Sequence, residues 1–178
     1  MLIVDVQNDF CPGGTLAVKA GDEVVGVVNR LMSRFPVVLA SKDWHPAETV
    51  HFERWPPHCV RGTRGADFHP DLDVTQIDHV VLKGTANTDD GYSAFEATSA
   101  DLGFLLRRAE VAHVFIAGLA TDYCVRATAL DALAAGFRVS VVTDAVRAVD
   151  LKPGDGEAAL REMEHAGITL VNSEALSR

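Results

Sequence analysis

The chain predicts an α/β fold: a three-layer sandwich with a six-stranded, mostly parallel central sheet and helices on both faces. Three observations carry this. Six short apolar runs recur along the sequence, helical periods lie between most of them, and the runs are nearly continuous in apolar residues, as strands buried on both faces are. Parallel neighbours joined by right-handed crossovers put ligands beyond the carboxyl ends of the strands. The size agrees. At 178 residues and 48% hydrophobic, the sequence suits one domain, 1–178, with a sizeable core, since domains typically run roughly 100–200 residues.

The strands are LIVDV (2–6), VVLAS (37–41), HVVLK (79–83), HVFIAG (113–118), FRVSVV (137–142) and ITLVN (168–172). A helix over 22–35 places Val24 or Val25, Val28, Leu31 or Met32 and Phe35 at three-to-four spacing. Asp22 and Glu23 sit in its first turn and Arg30 and Arg34 in its last, the arrangement a helix dipole favours. Residues 100–109 repeat the pattern with Leu102, Leu105, Leu106 and Ala109, with Ser99 as N-cap. Helices over about 122–135 and 156–166 stop at Gly136 and Gly167, glycines suited to the position just past a helix end. The rhythm fails only over 43–76, a Pro-, His- and Gly-rich segment holding both tryptophans and four of the seven histidines. A loop that long in a compact domain is functional or disordered, and its aromatic content argues for function.

Composition excludes several classes. Asp and Glu number 25 against 16 Lys and Arg, a net charge of −9, so the long-range field repels phosphate backbones and anionic lipid surfaces. Neither a nucleic-acid nor a membrane partner is expected. The start, MLIVDVQNDF, lacks a basic n-region, and no apolar stretch approaches the roughly 20 residues of a membrane span; a cytoplasmic protein is expected. Cys11, Cys59 and Cys124 are an odd count without zinc-finger spacing, which suits reduced thiols. Association into a homo-oligomer is left open.

Three residues at or just beyond strand ends complement one another. Asp5 interrupts the first strand, Lys83 ends the third, and Cys124 follows the fourth in GLATDYCVRATALDALAAG. Each has a plain alternative: a carboxylate capping a loop, an ammonium snorkelling to the surface, a small buried hydrophobe. With Thr121 or Asp122 as N-cap, however, Cys124 falls in the first helical turn, where free N–H groups and the dipole make a thiolate available near neutrality. Cysteine attacks, lysine stabilises anionic charge and aspartate moves protons, while N–H groups around Ala120 to Cys124 could hold an oxyanion. Thiolate attack on a carbonyl needs that set.

A second group lies in DWHPAETVH. Asp43 and His45, two apart in extended chain, can face one ion, with His51 and His58 returning from the long loop. Mixed carboxylate and imidazole ligands suit one divalent zinc, or iron or manganese, better than calcium or magnesium, and match no closed structural site. The plain alternative is a polar surface loop.

The segments IVDVQNDFCPGGTLAV, SKDWHPAETVHF, WPPHCVRGTRGADFHPDL, VVLKG, GYSAF and GLATDYCVRATALDA, in this order, resemble the nicotinamidases (pyrazinamidases) of the isochorismatase-like, or cysteine hydrolase, superfamily over nearly the whole chain. The resemblance implies a catalytic triad of Asp5, Lys83 and Cys124, and metal ligands Asp43, His45 and His58 with His51 as a fourth. It also implies a cis peptide at Leu119-Ala120, with the Ala120 and Cys124 amides forming the oxyanion hole. The family's ring pocket falls on Phe10, Leu16, Trp55 and Tyr92, with Tyr123 beside the nucleophile where some members have His. The segment from Lys83 to Tyr92 varies in length in the family. The implied substrate is nicotinamide, split to nicotinate and ammonia with its pyridine nitrogen on the metal. The alternatives are a metal-free hydrolase of another amide, carbamoyl compound or vinyl ether, a binding domain that lost its chemistry, and a structural metal module.

Overall fold

Each apolar run finds a parallel neighbour. The computed structural model describes residues 1–176, so Ser177 and Arg178 of the expected domain lie outside the described residues. The strands are β1 (Leu2–Val4), β2 (Leu39–Asp43), β3 (His79–Lys83), β4 (His113–Leu119), β5 (Arg138–Arg147) and β6 (Thr169–Val171). They form one sheet in the order β3-β2-β1-β4-β5-β6, and every pairing is parallel rather than most of them. The order reverses between β1 and β4, the switch point where the ends of neighbouring connections diverge and leave a crevice.

Side chains alternate across the sheet. Ile3, Ala40, Ala117 and Val142 face one core with Val24, Val28, Leu31 and Met32 of α1 (Glu23–Met32). Leu2, Val4, Leu39, Ile116 and Val141 face the other, with residues of α2 (Leu102–Arg108), α3 (Arg126–Ala134) and α4 (Asp155–His165). The sheet is thus covered on both faces, and each fully buried Leu, Ile or Val contributes roughly 1.5–3 kcal/mol. The aperiodic 43–76 segment is ordered on the α1 face, where Cys59, Ala66 and Leu72 join the same core.

Several boundaries differ from the sequence expectation for local reasons. β1 stops at Val4 rather than residue 6 because Asp5 has φ 48, which breaks the extended run. β2 starts at Leu39 because the Val38 N–H donates to the Asp78 carboxylate at 2.8 Å. It then runs to Asp43, which pairs with Lys83. β5 continues to Arg147 across a register shift between Ile116 and Gly118. Ser99 does not cap α2: its hydroxyl accepts from the Leu82 N–H, and Asp101 caps by accepting from Phe104 N–H at 2.9 Å.

Gly118 shows how closely β1 and β4 approach at the switch point. Its φ is 117, and a Cβ there would meet the Val4 carbonyl oxygen at 2.0 Å. Gly118→Ala should therefore cost about 3 kcal/mol or more, from backbone strain and forced separation of the two strands. Urea unfolding should show a lower midpoint at unchanged slope; a wild-type midpoint would contradict this packing.

Candidate active site

Four adjacent strands deliver the reactive residues to one place. Asp5 follows β1, Asp43 ends β2, Lys83 ends β3, and Cys124 lies in a turn directly after β4. The Lys83 side chain is wholly buried. Its Nζ lies 2.8 Å from Asp5 Oδ2, hydrogen-bonds to Asp43 Oδ1, donates to the Gly91 carbonyl at 2.7 Å and lies 3.4 Å from Cys124 Sγ. The three protons of the ammonium serve Asp43, Gly91 and Cys124, while the Asp5 carboxylate stands beside them as an ion-pair partner. Isolated buried charges are too costly to persist, so only this pairing keeps the lysine buried at the end of β3.

Electrostatics follow from that geometry. Burial opposes the ammonium, but the Asp43 and Asp5 carboxylates hold Lys83 well above its usual range. Burial also opposes the Asp43 carboxylate, yet Lys83 and His45 hold it well below normal. Asp5 goes the other way: burial pushes it up to about 6, with Lys83 pulling down and Asp43 pushing up. One carboxylate is firmly anionic and the other is poised to take a proton.

Cys124 departs from the expected helical first turn. It lies in a π-helical turn, Thr121–Val125, that follows Ala120 and leads into α3, and no side chain caps it. Asp122 instead turns its carboxylate to the 149–150 loop, accepting from the Val149 and Asp150 N–H groups at 2.9 Å each. Burial pushes the Cys124 thiol well above its usual value even with Lys83 pulling down. The resting sulfur is thus a thiol rather than the ready thiolate expected from helix position. Loss of its proton requires a base, and Asp5 is the neighbouring group poised to accept it.

The histidines form the second half of the site. His45 N–H donates to the Cys59 carbonyl and Arg61 N–H to the His45 carbonyl, at 3.0 and 2.9 Å, which folds the long segment back so that His58 stands beside His45. Each ring points Nδ1 at an acceptor: His45 at the Gly84 carbonyl (3.0 Å), His51 at Asp89 Oδ1 (2.9 Å) and His58 at the Pro56 carbonyl (2.7 Å). Those oxygens accept, so each Nδ1 carries a proton and Nε2 is the ring atom left to face a ligand. Candidate ligand atoms of the three rings lie within 4.8 Å of one another. Asp43 Oδ2 lies 3.5 Å from His45 Nε2 and 3.8 Å from His58 Nε2. His45 Nε2 is buried without a hydrogen-bond partner, and burial lowers His51 and takes His58 down to about 4. Three imidazoles grouped beside a carboxylate, each tied back through Nδ1, fit a divalent cation.

Between the two halves opens a narrow cavity. Phe10, Leu16, Trp55 and Tyr92, expected at the ring pocket, line it, as does Tyr123 beside the nucleophile. Asp43, His51, His58, Ala120 and Cys124 line it too, whereas His45 sits behind them. The Leu119-Ala120 peptide is cis. Sequence reasoning missed four contributors. Val149 lines the cavity, Ser41 donates to Asp5 Oδ1 at 2.7 Å, and Asp89 holds His51. Gln7 clamps the Asp43 backbone, accepting from its N–H and donating to its carbonyl at 2.8 Å each. Only Gln7 left a signal, a polar side chain two residues past Asp5 where an apolar strand was expected to end.

Comparison with known proteins agrees with this picture. The isochorismatase-domain family profile matches residues 1–175. The nicotinamidase of Escherichia coli K12 is 42% identical over 197 aligned residues, covering 96% of this chain and 92% of that protein. A solved Acinetobacter baumanii nicotinamidase/pyrazinamidase superposes with a TM-score of 0.93 at 35% identity, covering 98% and 96% of the two chains. The pyrazinamidase of Pyrococcus horikoshii, solved in complex with zinc, gives 0.86 at 42% identity, covering 96% and 97%.

The buried lysine makes a measurable prediction. Lys83→Met leaves two buried carboxylates facing each other without a counter-charge and should cost about 3–5 kcal/mol of stability. Cys124→Ala should cost far less in the same urea titration. Equal losses would mean that Lys83 does not hold the carboxylates together.

Proposed function

The chain belongs to the isochorismatase-domain family, and from that membership and the geometry of its site we propose that it hydrolyses nicotinamide to nicotinate and ammonia. Pyrazinamide, a ring of the same size with the same amide, is accepted as well, and the carboxylate product feeds NAD salvage. The observation that carries this reading is the junction at Asp43. One of its oxygens binds Lys83 beside Cys124, and the other faces His45 and His58, so a nucleophile and a cation cradle share one wall of an aromatic cavity.

Asp43, His45, His51 and His58 would hold a divalent ion, with zinc first, as in the P. horikoshii relative, and iron or manganese next. When bound, that ion supplies a Lewis-acidic anchor for the ring nitrogen. Phe10, Trp55, Tyr92 and Tyr123 flank the flat ring, while Leu16 and Val149 complete an apolar wall that excludes water. Positioning of this kind is worth several kcal/mol of barrier.

The chemistry then belongs to the chain's own residues. Cys124 Sγ attacks the amide carbon as its proton passes to Asp5, and Lys83 stabilises the sulfur's charge as it develops. The oxygen of the tetrahedral adduct rests on the Ala120 and Cys124 backbone N–H groups. Collapse breaks the C–N bond, and Asp5 returns the proton to the departing nitrogen, which leaves as ammonia. Water, losing a proton to Asp5, attacks the thioester and frees nicotinate and the thiol. A metal-free hydrolase would give three converging imidazoles no task, and a structural metal module would leave Cys124 unexplained.

Purified protein should release ammonia from nicotinamide, and Cys124→Ala should lower that rate about a thousandfold or more. Chelation should abolish turnover and added zinc restore it. Turnover surviving the Cys124 substitution would rule out the covalent route, and indifference to chelation would rule out the anchoring role.

A further inference from the structure

The segment that leaves β3 after Lys83 touches every part of the site. The Gly84 carbonyl accepts from His45 Nδ1, and the Gly91 carbonyl accepts from Lys83 Nζ. Trp55 Nε1 donates to the Tyr92 hydroxyl at 3.0 Å. Within this segment Asp89 is set apart: two of the three histidines are oriented by backbone carbonyls, but His51 is oriented by a carboxylate. The contact is 2.9 Å between a buried ring and a side chain 42% exposed. The other Asp89 oxygen lies 3.8 Å from the Arg54 guanidinium, so the carboxylate is held from both sides. Among the described residues Asp89 is the hydrogen-bond partner of the His51 ring, which otherwise stacks on that of His45 at 4.6 Å between centroids.

We propose that Asp89 is a positioning residue of the metal centre, fixing the tautomer and ring plane of His51 so that Nε2 faces the ion and adding electron density to the imidazole. This rests on the metal-ligand reading given above. A carboxylate behind a ligating imidazole raises its basicity and removes its rotational freedom, and loss of such a partner weakens metal binding roughly ten- to a hundredfold. The His51 backbone is held in a short helical turn, Val50–Glu53, where its carbonyl accepts from the Arg54 and Trp55 N–H groups, and Asp89 then sets the direction of its ring.

The test is zinc affinity of metal-stripped protein, measured by competition with a chromophoric chelator and independent of turnover. Asp89→Ala should weaken zinc about tenfold or more, and Asp89→Asn, which keeps an acceptor oxygen but no charge, should fall between it and wild type. Asp90→Ala is the control: it removes the same charge one residue on, where the carboxylate accepts from Thr88 Oγ1 at 2.7 Å rather than from a histidine, and should bind zinc as wild type does. Asp89→Ala binding zinc within twofold of wild type, or Asp90→Ala losing as much as Asp89→Ala, would overturn the proposal. Failure of the wild-type protein to bind zinc would overturn the ligand reading itself, a distinct result.

Discussion

The buried Lys83 ammonium is the constraint around which the site is arranged. Burying one cation at the end of a strand demands carboxylates close by, and the strand order supplies them. Asp43 is the direct register partner of Lys83 on β2, and Asp5 follows β1, the next strand over. The two carboxylates differ in character because burial and the neighbouring Asp43 raise Asp5 to about 6 against the pull of the lysine, whereas Lys83 and His45 together hold Asp43 firmly anionic against burial. One carboxylate is left for a cation and the other for a proton. A neutral residue at 83 would remove the counter-charge that both share.

Asp43 carries that arrangement across to the histidines, so catalytic and metal halves share one side chain. Gln7 matters for the same reason: by bonding both the N–H and the carbonyl of Asp43, it fixes where that shared carboxylate points. Strain accompanies the precision. Asp5 and Cys59, adjacent to the two halves, both have positive φ, at 48 and 45, conformations a non-glycine residue adopts only where its surroundings require them. Gly84 leaves no latitude either, since a Cβ there would meet the His45 ring at 2.5 Å.

Much of this was legible in the sequence, and the pattern of what was not is physical. Strand positions could be read because a sheet buried on both faces demands continuous apolar runs, and Asp5, Lys83 and Cys124 stood out as chemically reactive residues at their ends. Strand ends were less legible, because β2 and β5 are bounded by pairing register and by single contacts such as Val38 to Asp78. Asp122 looked like a cap because its type favours that role; only the folded chain shows its carboxylate turned to the 149–150 loop. The Cys124 acidity was misjudged in direction because position on a helix is visible in sequence and desolvation is not. Val149 and Asp89 are ordinary residues in irregular segments, brought to the site purely by tertiary folding.

The most direct examination of the whole account is a crystal structure of the zinc-loaded protein with nicotinate. It should show the ion on Asp43 Oδ2 and the Nε2 atoms of His45, His51 and His58 at about 2.0–2.2 Å, the ring nitrogen on the same ion, and the carboxylate carbon facing Cys124 Sγ with Lys83 still paired to Asp5 and Asp43. An ion bound elsewhere, or Lys83 swung away from either carboxylate with the ring remote from the sulfur, would contradict it.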